Sequence, residues 1–62
     1  MTNENIIKLA DKTNKEILLL SEDIKKDVKH LPDFYAVERI KNNIEAISAL
    51  QYKLEILKTV LT

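Results

Sequence analysis

The chain has 62 residues, with ten basic and ten acidic side chains, one proline, and neither cysteine nor glycine. That length makes one small domain over 1–62, with too little chain to close a large core unaided, so folding is expected to lean on self-association or a partner. Zero formal net charge gives no general field for nucleic acid or an anionic membrane, and the absence of cysteine excludes disulfides and thiolate–metal sites.

The opening Met1-Thr2-Asn3-Glu4-Asn5 lacks the basic-then-apolar order of a signal peptide. No apolar run approaches the roughly 20 residues of a membrane span. A cytoplasmic protein with no membrane segment is the expectation. Asn3 is the expected N-cap of a first helix, with Thr2 and Asn5 as rivals.

From there Ile6, Ala10, Thr13, Ile17, Leu20, Ile24, Val28 and Leu31 recur at steps of four and three. This is the stripe of an amphipathic helix, predicted over about 4–30. Glu4–Lys8, Asp11–Lys15 and Glu22–Lys26 have the favourable acid-first spacing for ion pairs along its outer face. Thr13-Asn14-Lys15-Glu16 ahead of Ile17 also fits a capping box, which would split the arm. The apolar stripe runs in phase through Thr13, so one continuous helix is predicted, with a kink near Thr13 left open. Leu18 flanks the stripe with Ile7, and Leu19 points nearly opposite to it.

His30-Leu31-Pro32-Asp33 is the break. Proline has no amide proton and clashes with the turn before it, so the helix must end or bend there. Asp33 is placed to cap the helix that follows. The predicted turn is Leu31-Pro32-Asp33 and the predicted second helix runs over about 34–61. The fold class is therefore all-α, an antiparallel helical hairpin.

In the second arm Val37, Ile40, Ile44, Ile47, Leu50, Leu54, Leu57 and Leu61 supply the main stripe. Ala49, Tyr52, Ile56 and Val60 form another on the far side. A helix that is apolar most of the way round is usually buried on more than one side. A homodimeric four-helix bundle is the expected assembly, with Leu19, Ala49, Tyr52, Ile56 and Val60 as the oligomer or partner interface. Folding the arms about Pro32 pairs levels whose numbers sum to about 64, which sets Thr13 beside Gln51 as one polar layer.

Asp27 and His30 stand one turn apart, as a metal-binding pair would. The pair occurs once per chain among Lys25, Lys26 and Lys29, and His30 better suits the negative end of the first helix. Glu22, Asp23 and Asp27 read as a solvated face. Ser21 and Ser48 have no evident activating base, and there is no glycine-rich loop for phosphate. No catalytic residue, cofactor or metal is expected, and the chain is read as a non-enzyme.

Lys25, Lys26, Lys29, Arg39 and Lys41, with His30, gather near the turn, where Phe34 and Tyr35 offer rings for stacking. Glu22, Asp23, Asp27 and Glu38 interleave with them and weaken their field. A dimeric hairpin of this length is similar in size and topology to the Rop-type plasmid copy-control RNA-binding proteins, with no motif in common. That similarity implies a nucleic-acid-binding regulator using the basic turn end. The reading preferred from the residues is a small protein–protein interaction module: an inhibitor, adaptor or assembly factor, of the size of phage and plasmid accessory proteins.

Overall fold

The computed structural model describes residues 3–61. It contains two α-helices, α1 (Asn3–Val28) and α2 (Phe34–Leu61), packed against each other as a hairpin. The molecule is a rod with extents of 45 × 14 × 13 Å. Helix α1 is unbroken through Thr13, so the capping-box split does not occur. Thr13 Oγ1 donates instead to the carbonyl of Leu9, one turn back, at 2.8 Å. That bond satisfies the hydroxyl locally, and Thr13 is 1 % exposed. Gln51 is exposed, so the expected Thr13–Gln51 layer is not formed. Asn3 is already helical and so does not stand outside α1 as its cap, while its rival Thr2 lies outside the described residues.

The first helix stops at Val28, two residues earlier than its sequence pattern suggests. Continuing the ladder would require Pro32 to donate to the Val28 carbonyl, and Pro32 has no proton to give. The Val28 carbonyl accepts from Leu31 N at 3.3 Å instead, and the Asp27 carbonyl from His30 N at 2.9 Å. The last turn therefore tightens to three-residue spacing. Asp33 N donates to the His30 carbonyl at 2.9 Å and closes the loop. The Leu31–Pro32 peptide is cis, and no described residue has a positive φ.

Asp33 then caps α2 as expected. Its Oδ1 accepts from Tyr35 N at 2.7 Å and from Ala36 N at 3.4 Å. The first intrahelical bond, Val37 N to the Asp33 carbonyl, measures 3.1 Å. Two of the amides left without partners at a helix start are thereby satisfied by one side chain.

Along the seam, α1 contributes Ile6, Leu9, Ala10, Thr13, Ile17, Leu20 and Ile24, all buried or half-buried. The expected stripe holds as far as Ile24. Val28 and Leu31, beyond it, are 51 % and 47 % exposed. In α2 the seam differs from the expected stripe. Ala36, Ile40, Asn43, Ala46, Ile47, Leu50, Leu54 and Leu57 are buried or half-buried. Val37, Ile44 and Leu61 are 44 %, 52 % and 36 % exposed. On a wheel of 3.6 residues per turn the inward face of α2 is rotated by about 30° from the centre of its apolar stripe. Small side chains at Ala36 and Ala46 let the backbones approach on the rotated side, and larger Val37 and Ile44 are turned out. Ala36 has no exposed surface at all.

Candidate functional site

An antiparallel hairpin has two broad faces, each made from one flank of α1 and one flank of α2, and two narrow outer edges. The residues on each follow from the wheel once the seam is fixed. The two broad faces differ in chemistry.

The first broad face is polar. Asp23, Lys26, Asp27, Arg39, Asn42 and Asn43 line a shallow groove of about 390 Å³. Within it Arg39 reaches across the seam to Asp27. Nε and Nη2 both lie 3.0 Å from the same carboxylate oxygen, Oδ1. The hydrogen bond that Arg39 donates to Asp27 is the main reason its guanidinium is held above its ordinary pKa, with the nearby charges of Asp27 and Asp33 adding to it. The Arg39 guanidinium therefore stays a cation and has no proton to give. Asp27 was expected on a solvated face, yet its side chain is only 14 % exposed because Arg39 covers it. The same contact commits the Asp27 carboxylate away from His30. Among the described residues no group of three or more histidine, cysteine, aspartate or glutamate side chains is arranged to hold a metal.

The basic residues near the turn do not form one patch. Arg39 is spent on Asp27, and Lys25 Nζ lies 3.5 Å from Glu22. Glu22 thus pairs with Lys25 rather than with Lys26, whereas Glu4–Lys8 forms as expected at 3.5 Å. Lys29 stands in the turn after α1, and by the wheel Lys41 lies on the outer side of α2. Phe34 and Tyr35 are 69 % and 73 % exposed and meet edge to face, with centroids 6.0 Å apart.

The second broad face is apolar over the half nearest the turn. Val28, Val37 and Ile44 lie on it, with the half-buried Ile17, Ile40 and Ile47 between them. Lys25 and Ser21 are the polar residues at its α1 margin. Toward the chain ends the same face is mixed: Asn14, Gln51, Glu55 and Lys58 line a groove with Ile17 and Leu54, and Ile7 is 51 % exposed. The sequence does not single out Val28, Val37 and Ile44 as surface, because their spacing matches the seam equally well.

Leu19, Ala49, Tyr52, Ile56 and Val60 are all exposed, as an interaction surface requires. They do not form one patch. Tyr52 and Ile56 lie on the outer side of α2, with Ala49 and Val60 turned from it toward the first broad face, whereas Leu19 lies on the outer side of α1 beside Leu18, Lys15 and Glu22. Among the described residues no helix is long and apolar enough to cross a membrane. No family model matches the chain, and no similar curated protein or solved structure was found.

Proposed function

We propose that the chain is a small non-enzymatic protein–protein interaction module that works as a homodimeric four-helix bundle and binds a protein partner. In that reading it is an inhibitor, adaptor or assembly factor of the cytoplasm, of the kind encoded by phages and plasmids. One observation carries it. Among the described residues the buried hydrophobic side chains are Ile6, Ala36 and Leu57 alone, while Leu18, Leu19, Phe34, Tyr35, Tyr52 and Val60 are each at least 60 % exposed. So little apolar burial within one chain, with large apolar side chains left in water on both helices, is what a small chain that leans on a second molecule shows.

The bundle and the partner use different surfaces. A four-helix bundle needs a face made by both helices. The row of Ala49, Tyr52, Ile56 and Val60 on α2 alone suits a partner helix laid along it, where aromatic and branched side chains serve as anchors. Static light scattering over a dilution series, with helicity followed in parallel, tests the assembly. The expected result is a mass of two chains that falls on dilution together with the helical signal. A fully helical single chain at every concentration overturns the bundle.

A further inference from the structure

Resting on that dimer reading, we infer that the face covered by the second copy is the turn-proximal broad face carrying Val28, Val37 and Ile44, and that the two hairpins meet with their turns at the same end. The area supports a second copy as the occupant. A folded monomer of 7.2 kDa is expected to expose about 4,100 Å². This chain exposes 4924 Å². The excess is spread over the whole 45 Å rod, and it leaves surface of the order of the roughly 800 Å² that each partner contributes to a stable interface.

The rotation of α2 points to the same face. Its main apolar stripe is centred between the seam and this broad face. A stripe aimed between two neighbours is what a helix needs when one neighbour is α1 and the other belongs to a second hairpin. The opposite broad face, with Asp23, Lys26, Asp27 and Arg39, would bury an ion pair and further charges if it were covered, at a desolvation cost that apolar contacts do not incur.

The alignment of the ends follows from which residues then meet. With the turns together, α1 of one copy lies over α2 of the other, and levels again pair at sums near 64. Val28 then meets Val37 of the second copy, and the half-buried Ser21 stands level with Ile44. With the turns at opposite ends, α2 lies over α2, and the wheel sets Val37 against Lys58 and Ile44 against Gln51. Only the first arrangement brings Val28 and Val37 of the two copies together and keeps Val37 away from Lys58.

The test begins from the wild-type mass, so that a monomeric wild type overturns the bundle itself and not the choice of face. With a dimeric wild type, Val37→Lys and Ile44→Lys are expected to abolish the dimer at concentrations where Ile56→Lys and Val60→Lys keep it. These four positions are exposed to similar degrees in the hairpin, from 44 % to 60 %. The reverse pattern overturns the face. Because lysine variants can also lose their fold, a cysteine pair supplies a second measurement in a chain with no native cysteine. Val28→Cys and Val37→Cys proteins, mixed and oxidised mildly, are expected to form a mixed disulfide dimer that stays helical, in preference to either symmetric product. A dimer without that cross-link overturns the shared end, since the opposite alignment separates the two sites by most of the 45 Å rod, far beyond the 7 Å Cα limit of a disulfide.

Discussion

Arg39 and Asp27 hold the turn end of the two helices together by a fork of two nitrogens on one carboxylate oxygen, each at 3.0 Å. The contact joins the last turn of α1 to the second turn of α2 and sits one level above the fully buried Ala36. It is half open to water, so salt must screen it.

Replacing Arg39 by methionine keeps the length of the side chain and removes the fork. The expected outcome is a lower melting temperature in dilute buffer and a smaller difference at 1 M salt. Arg39→Lys should recover only part of the loss, because an ammonium does not supply two coplanar donors. Melting curves at two salt concentrations check both statements. An equal loss at both would assign the effect to packing of the arginine stem.

Asp33 is the second device at the turn. Asp33→Ala removes the acceptor for Tyr35 N and Ala36 N and is expected to cost ~1 kcal/mol, with Asp33→Ser or Asp33→Asn close to wild type. Urea unfolding followed by circular dichroism measures this. A neutral alanine variant would mean that the other turn bonds suffice to start α2.

Thr13 gives a prediction of the opposite kind. Its hydroxyl bonds only to the carbonyl of its own preceding turn, and such back-bonds add little to a helix. Thr13→Val is therefore expected to lie within ~1 kcal/mol of wild type. Thr13→Leu, which adds volume at a site 1 % exposed, should cost ~1–3 kcal/mol. Equilibrium unfolding of the pair separates filling from polarity. A large loss with valine would show that the hydroxyl has a partner outside α1.

At Ala36 the prediction concerns size alone. With no exposed surface, the position has no room for added atoms, and Ala36→Leu is expected to lower stability by ~1–3 kcal/mol. Ala49→Leu, on the exposed surface of α2, should leave the stability of the hairpin within about 0.5 kcal/mol of wild type. Parallel thermal melts at low concentration compare them.

The hairpin, the site of the turn and the cap at Asp33 were legible in the sequence because each depends on local chemistry. Pro32 lacks a donor, Asp33 has an acceptor at the right place, and the α1 stripe repeats without a gap. The rotation of α2 was not legible. Val37 and Ile44 fit a seam by spacing, and their exposure follows from how closely Ala36 and Ala46 let the backbones come, which spacing does not encode. The Asp27–Arg39 bridge was hidden for a related reason: both residues read as members of separate charged clusters on their own helices. Their numbers sum to 66, close to the level rule of the hairpin, and a search for opposite charges obeying that rule finds them. Of the candidate interface, the exposure of Ala49, Tyr52, Ile56 and Val60 followed from their place away from the seam. The separation of Leu19 from them required the relative placement of two helices.

The rod shape has a hydrodynamic consequence. At 45 Å by 14 Å the hairpin is about three times as long as it is wide, so it tumbles and diffuses more slowly than a sphere of its mass. On a sizing column a single chain elutes ahead of globular standards and imitates a heavier species. Two hairpins laid side by side with their turns together thicken the rod without lengthening it, and frictional drag rises less than mass does. A monomer and a dimer of this chain are thus closer in elution volume than a twofold difference in mass suggests, while scattered light still distinguishes them by a factor of two.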